Sequence, residues 1–127
     1  MIAVLATNAY KAASKVRKVA EVYKSLPVAS CFLLDVRDGK VTLFPFRFEE
    51  RAEHAETIPA IVDGEEWATC IPAKPFTDWL RVTQNPKKGQ PDRIELTFDP
   101  QVQIVRIRAG NTRAEFKCID AQEFPPC

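Results

Sequence analysis

The chain has 127 residues and is nearly neutral, since 18 Lys and Arg oppose 17 Asp and Glu. This length provides one domain with a single hydrophobic core, and 46% hydrophobic with 28% charged residues is typical of a soluble globular protein. No apolar run is long enough to cross a bilayer, and no basic leader precedes the strand predicted at residues 1–5. We therefore expect a cytoplasmic protein without a membrane partner.

Residues 9–24 have the periodicity of an amphipathic helix. Asn8 is a suitable N-cap, and Leu26-Pro27 ends the helix because the residue before a proline is disfavoured in helical conformation. The apolar face is rich in small residues, so the helix should lie close to a sheet. The basic residues, opposed within the segment by Glu21, lie on and beside the opposite face: Lys11, Lys15, Arg17, Lys18 and Lys24.

Three strands are predicted next. Residues 30–36 and 40–46 flank Asp38-Gly39, a dipeptide typical of a tight hairpin turn. Residues 51–62 are polar and contain Pro59, which indicates a ragged strand or one near a sheet edge, because proline has no N–H to donate. His54, in this run, is interpreted as a solvated strand residue.

The same order of elements then begins again. Residues 67–71 form a short apolar strand, and Pro75 suits the first turn of a helix that ends at Asn85-Pro86. Three alternating strands follow, near residues 94–98, 105–109 and 114–118. The inner face of the second helix is predicted to comprise Phe76, Trp79, Leu80 and Thr83. Its segment, residues 73–88, carries one acidic residue, Asp78, and four basic ones: Lys74, Arg81, Lys87 and Lys88.

The order strand–helix–strand–strand–strand thus occurs twice, at about 1–62 and 66–118, within a single domain of residues 1–127. Internal duplication predicts two similar halves related by a pseudo-two-fold axis. The two basic helices occupy the same place in each half and should form one basic surface, which favours a polyanionic partner. The alternative is that the lysines only keep the protein soluble.

The periodicities also predict which side chains form the core, between the sheets and the inner faces of the helices. The expected core residues are Phe32, Leu34, Leu43, Phe76, Trp79, Leu80, Ile94, Leu96, Val105, Ile107 and Phe116.

The cysteines argue against metal or enzyme chemistry. Cys31, Cys70 and Cys118 lie in apolar runs and should be buried free thiols, whereas Cys127 follows two prolines at the terminus and should react freely. Their wide spacing does not suit a metal ion, and no cofactor motif is present. His54 with Cys70 or Cys118 would be the nucleophile–base pair, and no pattern brings them together, so we do not expect an enzyme.

Several strings, in this order, resemble the first domain of the bacterial DNA polymerase III beta subunit, the sliding clamp. The resemblance runs from residue 1 to about 125. LPV at 26–28, CFLLDV at 31–36 and the Asp38-Gly39 turn are similar to one stretch of that family. ATCIPAK at 68–74 is the most specific string, and RAEFKC at 113–118 with EFP at 123–125 resembles the end of the clamp domain.

This resemblance implies an α+β DNA-clamp fold with two pseudo-symmetric halves and two helices packed on antiparallel sheets. It also implies a non-catalytic processivity factor in DNA replication: a ring that encircles double-stranded DNA, with helices lining its hole. Such helices contact the phosphate backbone without reading bases. Lys74 and Arg81 stand where the family has basic pore-facing residues, and Lys11, Lys15 and Lys18 suit the corresponding face of the first helix.

The sequence also departs from the family. A clamp chain has three such domains, whereas this chain resembles one, either an excised first domain or a one-domain relative. Residues 44–50 do not keep the family's usual TDLE stretch, and Tyr23-Lys24 replaces an arginine before Leu26. The partner-binding cleft of the family lies in later domains. The alternative function is a stand-alone clamp-fold module that pairs with another clamp-like chain through sheet edges or serves a non-replicative partner.

Overall fold

The computed structural model describes residues 2–5, 9–19, 30–46, 52–63, 66–83, 94–110 and 112–124. Within these residues, the element order of the two halves agrees with the sequence-based prediction. The first half contains β1 (Ile2–Leu5), α1 (Ala9–Val19), β2 (Cys31–Arg37), β3 (Lys40–Phe44) and β4 (Glu56–Asp63). The second half contains β5 (Trp67–Pro72), α2 (Ala73–Thr83), β6 (Ile94–Asp99), β7 (Ile104–Ala109), β8 (Thr112–Lys117) and β9 (Ile119–Asp120).

The strands pair in the order β8-β7-β6-β1-β4-β3-β2-β5-β9, and all neighbours are antiparallel. The two ends of this order, β8 and β9, are separated along the chain by Cys118 alone, so the chain passes directly from one end of the strand order to the other. β1 lies between β4 of its own half and β6 of the other half. β5 lies in the equivalent way between β9 and β2, which confirms the predicted pseudo-two-fold relation.

The third strand lies at a sheet edge in each of its two parts, in agreement with the predicted strand near an edge. In the described structure, residues 56–59 of β4 pair with β3 alone and residues 60–63 pair with β1 alone, so β4 connects two parts of the strand order with one neighbour at each point. Pro59 is the last residue that pairs with β3, and it therefore stands where the strand changes partner. A proline is tolerated there because each part of β4 pairs on one side. His54 belongs to a short 3-10 turn (Ala52–His54) and is partly buried, which corrects the expected solvated strand position.

The hairpin turn between β2 and β3 is confirmed at the predicted residues. Asp38 and Gly39 both have positive φ, 53° and 71°, as a tight hairpin turn of two residues requires. The Asp38 N–H donates to Glu66 Oε2 at 2.9 Å, and the Ala60 N–H donates to the Gly39 carbonyl oxygen at 3.0 Å. These bonds connect the turn to the strands on either side of it.

The main core lies between the strands and the two helices, and its predicted members are buried except for Trp79. The confirmed core residues are Phe32, Leu34, Leu43, Phe76, Leu80, Ile94, Leu96, Val105, Ile107 and Phe116. Trp79 is partly buried and packs at the margin of the core, because the inner arc of α2 is centred between Phe76 and Leu80 and also includes Thr77. α1 contributes small buried residues, Ala9, Ala12, Ala13 and Val16, as its apolar face predicted.

A second, smaller buried cluster was not predicted. Cys31, Phe46, Cys70 and Phe124 pack together on β2, β5 and the segments that follow β3 and β9. The rings of Phe46 and Phe124 meet edge to face, with their centroids 5.6 Å apart. Because Cys31 and Phe32 point to opposite faces of β2, this part of the sheet is covered on both faces.

Cys31, Cys70 and Cys118 are buried, reduced cysteines, as predicted. Burial raises the pKa of Cys31, and it raises that of Cys70 to about 12 and that of Cys118 to about 11. Since the thiolate is the nucleophile, we expect these buried cysteines to react slowly near neutral pH. Cys127 lies outside the described residues.

We expect a thiol reagent at neutral pH to label one cysteine of the native protein quickly, Cys127, and the other three slowly. The measurement is the time course of labelling, with C127S as the variant in which the fast phase is lost. Denaturant should make all remaining thiols reactive. Rapid labelling of Cys31 or Cys70 in the native protein would contradict the packing of the second cluster, and rapid labelling of Cys118 would contradict that of the main core.

Candidate nucleic-acid interface

α1 and α2 pack side by side, as the repeat predicted, and a cleft of about 350 Å³ lies between them. Each helix has eleven residues, and its apolar face is turned to the core. The cleft is therefore formed by residues on the flanks and outer faces of both helices. It is lined by Tyr10, Ser14, Arg17, Lys18, Thr77, Asp78 and Arg81.

Two arginines occupy equivalent positions beside this cleft. Arg17 and Arg81 occupy the same position in the last turn of their helices when the first residues of the helices, Ala9 and Ala73, are aligned. A cation in the last turn is favourable because the C-terminal end of a helix carries partial negative charge. In the same alignment, Ser14 of α1 is replaced by Asp78 in α2, so the charge of the two helices differs at this position.

Asp78 lies among three cations from both helices. Its Oδ2 accepts a hydrogen bond from Lys74 Nζ at 2.8 Å, and its Oδ1 lies 3.8 Å from Arg17 Nη1 and 3.9 Å from Arg81 Nη2. The hydrogen bond from Lys74, together with the charges of Lys74, Arg81 and Arg17, lowers the pKa of Asp78. This carboxylate therefore connects α1 and α2 through their basic side chains.

The other lysines of α1 lie on its opposite flank. Lys11 and Lys15 line a second cleft, of about 300 Å³, between α1 and β4. Lys15 Nζ is 3.5 Å from Glu56 Oε1. The predicted strip of Lys11, Lys15 and Lys18 is thus divided, because Lys18 borders the interhelical cleft.

The six described basic residues of the predicted site are all exposed: Lys11, Lys15, Arg17, Lys18, Lys74 and Arg81. Lys24, Lys87 and Lys88 lie outside the described residues. No carboxylate in the described part of the chain lies within ion-pair distance of Lys11 or Lys18.

The polar residues of the interhelical cleft were not among the predicted site residues. Ser14, Thr77 and Asp78 carry no positive charge, whereas the predicted site consists of basic residues. Thr77 is 5% exposed, and its Oγ1 has no hydrogen-bond partner among the described residues. A signal was present for Asp78, since Lys74 precedes it by four residues and such pairs interact on a helix.

The outer face of β6, β7 and β8 is also charged, and two of its three arginines, Arg106 and Arg108, pair with carboxylates across the strands, whereas Arg113 stands opposite Arg108. Arg108 Nη2 donates to Glu95 Oε2 at 2.7 Å, and Arg106 Nε lies 3.4 Å from Glu115 Oε1. On the helix surface, four of the six described cations pair with two carboxylates, Asp78 and Glu56, and Lys11 and Lys18 have no carboxylate within ion-pair distance in the described structure.

Neither metal-binding nor membrane-spanning features occur in the described ranges. No three His, Cys, Asp or Glu side chains there are arranged to hold a metal ion. None of the helices in the same ranges is long and apolar enough to cross a membrane.

Solved structures of bacterial sliding clamps have the same fold as this chain. The DNA polymerase III subunit beta of Pseudomonas aeruginosa aligns with 100% of the chain, at 20% identity and a TM-score of 0.79. The DNA polymerase sliding clamp of Caulobacter crescentus also aligns with 100% of it, at 20% identity and a TM-score of 0.81. The DNA polymerase III beta subunit of Thermotoga maritima does so at 20% identity and a TM-score of 0.75.

The chain spans about a third of the length of these clamps, since the alignment covers 32% of each. No protein-family model matches the sequence, and no curated protein matches it significantly. The structural likeness confirms the predicted α+β clamp fold.

Proposed function

We propose that the chain is a non-catalytic sliding-clamp domain that contacts the backbone of double-stranded DNA through the surface of α1 and α2. The observation that carries this proposal is the side-by-side packing of the two helices on a clamp fold, with exposed cations from both at one cleft. Arg17 and Lys18 of α1 and Arg81 of α2 line the cleft, and Lys74 of α2 is bonded to Asp78 beside it. Lys11 and Lys15 extend the basic surface towards β4.

The chemistry of this surface suits phosphates better than bases. Long, exposed lysine and arginine side chains neutralise phosphates and release the counterions condensed on DNA, which gives affinity without sequence information. Lys24, Lys87 and Lys88 belong to the same basic segments, and we include them in the proposed DNA-binding set on sequence grounds.

A single domain cannot surround a duplex, so the proposal requires assembly. The chain spans about a third of a clamp chain, and we propose that it pairs with other clamp domains, or with copies of itself, through sheet edges. β4 and β8 are suitable strands. Residues 56–59 of β4 pair with β3 on one side, and β8 pairs with β7 on one side.

The second candidate is a clamp-fold module that acts by pairing with another clamp-like chain or by serving a non-replicative partner. Light scattering with and without duplex DNA separates the two candidates. A ring-forming assembly should have a mass of several chains, whereas the module should stay a monomer and form a one-to-one complex with a clamp.

We expect duplex binding to be weak, insensitive to sequence and strongly dependent on salt. A surface that neutralises three to five phosphates should give a log–log slope of affinity against salt of about −3 to −5, at roughly −0.9 for each phosphate. The measurement is fluorescence anisotropy of several labelled duplexes of different sequence, titrated at a series of salt concentrations. Tight binding that selects one sequence would contradict the proposal.

A further inference from the structure

We infer that Asp78 is a resident counter-ion of the basic helix surface, which competes with a DNA phosphate for the cations around the interhelical cleft and thereby limits duplex affinity. This inference rests on the proposed function, since it concerns the same surface. It assigns one phosphate of the backbone to the cleft between α1 and α2.

The first support is the convergence of cations on one carboxylate. Within Ala9–Val19 and Ala73–Thr83, Asp78 is the single acidic residue. Lys74, Arg17 and Arg81 lie 2.8, 3.8 and 3.9 Å from its oxygens, so an anion already occupies the point where both helices direct positive charge.

The second support is the excess of donors that line the cleft. The charged donors are Arg17, Arg81 and Lys18. The hydroxyl groups of Ser14 and Thr77 belong to the same lining. The Thr77 hydroxyl is buried and has no acceptor in the described structure. A phosphate oxygen accepts hydrogen bonds from guanidinium, ammonium and hydroxyl groups, so this set of donors fits a phosphate.

The carboxylate should oppose DNA more than it assists it. The contacts of Asp78 with Arg17 and Arg81 are longer than 3.5 Å, and Lys74, Arg17 and Arg81 are all well exposed. The ion pairs of Asp78 are therefore weak in water and hold these three side chains in place only loosely. A phosphate brought to the same cations meets a negative charge that is already there, and fewer counterions are released from the DNA. Asparagine in place of Asp78 keeps the size of the side chain but removes its charge.

The matched control is E115Q. Glu115 lies on β8, on the face opposite the buried Phe116, and pairs with Arg106 rather than with the helices. E115Q changes the net charge as much as D78N does, so a general effect of net charge should appear in both variants. An effect confined to D78N should therefore come from the cleft.

Duplex affinity is measured by anisotropy at several salt concentrations for the wild type, D78N, E115Q and R81E. D78N should bind about 3- to 10-fold more tightly than the wild type, with a salt slope steeper by about one, whereas E115Q should change the affinity little. Equal gains in D78N and E115Q, or weaker binding by D78N, would overturn the inference and leave the proposed function intact. Unchanged binding by R81E would instead count against the proposed function.

A second measurement tests the cleft if no variant binds DNA. The carboxyl carbon of Asp78 is titrated by NMR with and without inorganic pyrophosphate, a small probe that carries the same phosphate chemistry. If pyrophosphate pairs with Lys74, Arg17 and Arg81 in place of Asp78, the pKa of Asp78 should rise towards its ordinary value. An unchanged pKa at saturating probe would refute competition at this carboxylate.

Discussion

Replacing Phe76 with alanine should lower the free energy of unfolding by about 3–5 kcal/mol, the usual cost of removing a buried aromatic side chain. Phe76 is 1% exposed and lies on the inner face of α2. Its ring meets that of Phe116 edge to face, with a centroid distance of 6.1 Å, so it fastens α2 to β8. The substitution removes this contact and leaves a cavity that the surrounding residues only partly fill. Urea denaturation followed by circular dichroism measures the change.

Two further variants show whether this loss comes from packing. V82A changes the same helix at a side chain that is 65% exposed, and it should alter stability by no more than about 0.5 kcal/mol. F76L retains much of the buried volume and should recover a large part of the loss. Similar stability of F76A and V82A would show that α2 does not pack on the sheet as described.

Reversing three charges on the helix surface, with K15E, K18E and R81E together, should abolish duplex binding and leave the fold intact. The three side chains are exposed, and substitutions at exposed positions usually change stability by no more than about 0.5 kcal/mol. Each reversal removes a phosphate contact and adds repulsion between the new carboxylate and the DNA. In addition, K15E places a negative charge beside Glu56, which pairs with Lys15 in the wild type.

The control for net charge reverses three exposed cations elsewhere, Lys40, Arg113 and Lys117. Lys40 and Lys117 lie on β3 and β8 beside the buried residues Val41 and Phe116, so they point away from the helices. This second triple variant has the same net charge and should retain measurable binding. Unaltered binding by the helix variant, with a native circular dichroism spectrum, would contradict the proposed DNA-contacting surface.

The elements of the fold were predictable because their patterns are local. The period-two alternation of β6 and β7 and the helical spacing of Phe76 and Leu80 give the core faces directly, and the structure buries these residues as expected. Asp38-Gly39 required positive φ at two positions, which the structure shows. The duplication followed from the order of these elements, and the placement of both helices on one face followed from the duplication.

The features that the sequence did not specify depend on distant partners. Pro59 indicated a strand near a sheet edge, but no local pattern shows that β4 pairs first with β3 and then with β1. Trp79 has the hydrophobicity of a core residue, whereas the inner arc of α2 is turned slightly away from it, towards Thr77.

The sequence predicted which basic residues of the candidate site are exposed, but it did not predict how these residues are arranged around the two clefts. A helical projection places Lys11, Lys15 and Lys18 on one outward face, but it does not show which neighbour flanks each residue. In the structure, β4 flanks Lys15 and α2 flanks Lys18. The interhelical position of Asp78 depends on how the helices pack, and no local pattern specifies it.

Two strand pairings between the halves, β1 with β6 and β2 with β5, make each half of the duplicated chain depend on the other for folding. Ile2 pairs with Thr97, so β1 gains its second neighbour only after most of the chain is present. β5 in turn completes the sheet of the first half by pairing with β2. Pairings between residues so far apart in sequence favour slow folding, because the loop must be closed before the contact stabilises it. The duplicated halves are therefore not independent modules, and the protein should fold and unfold as one cooperative unit.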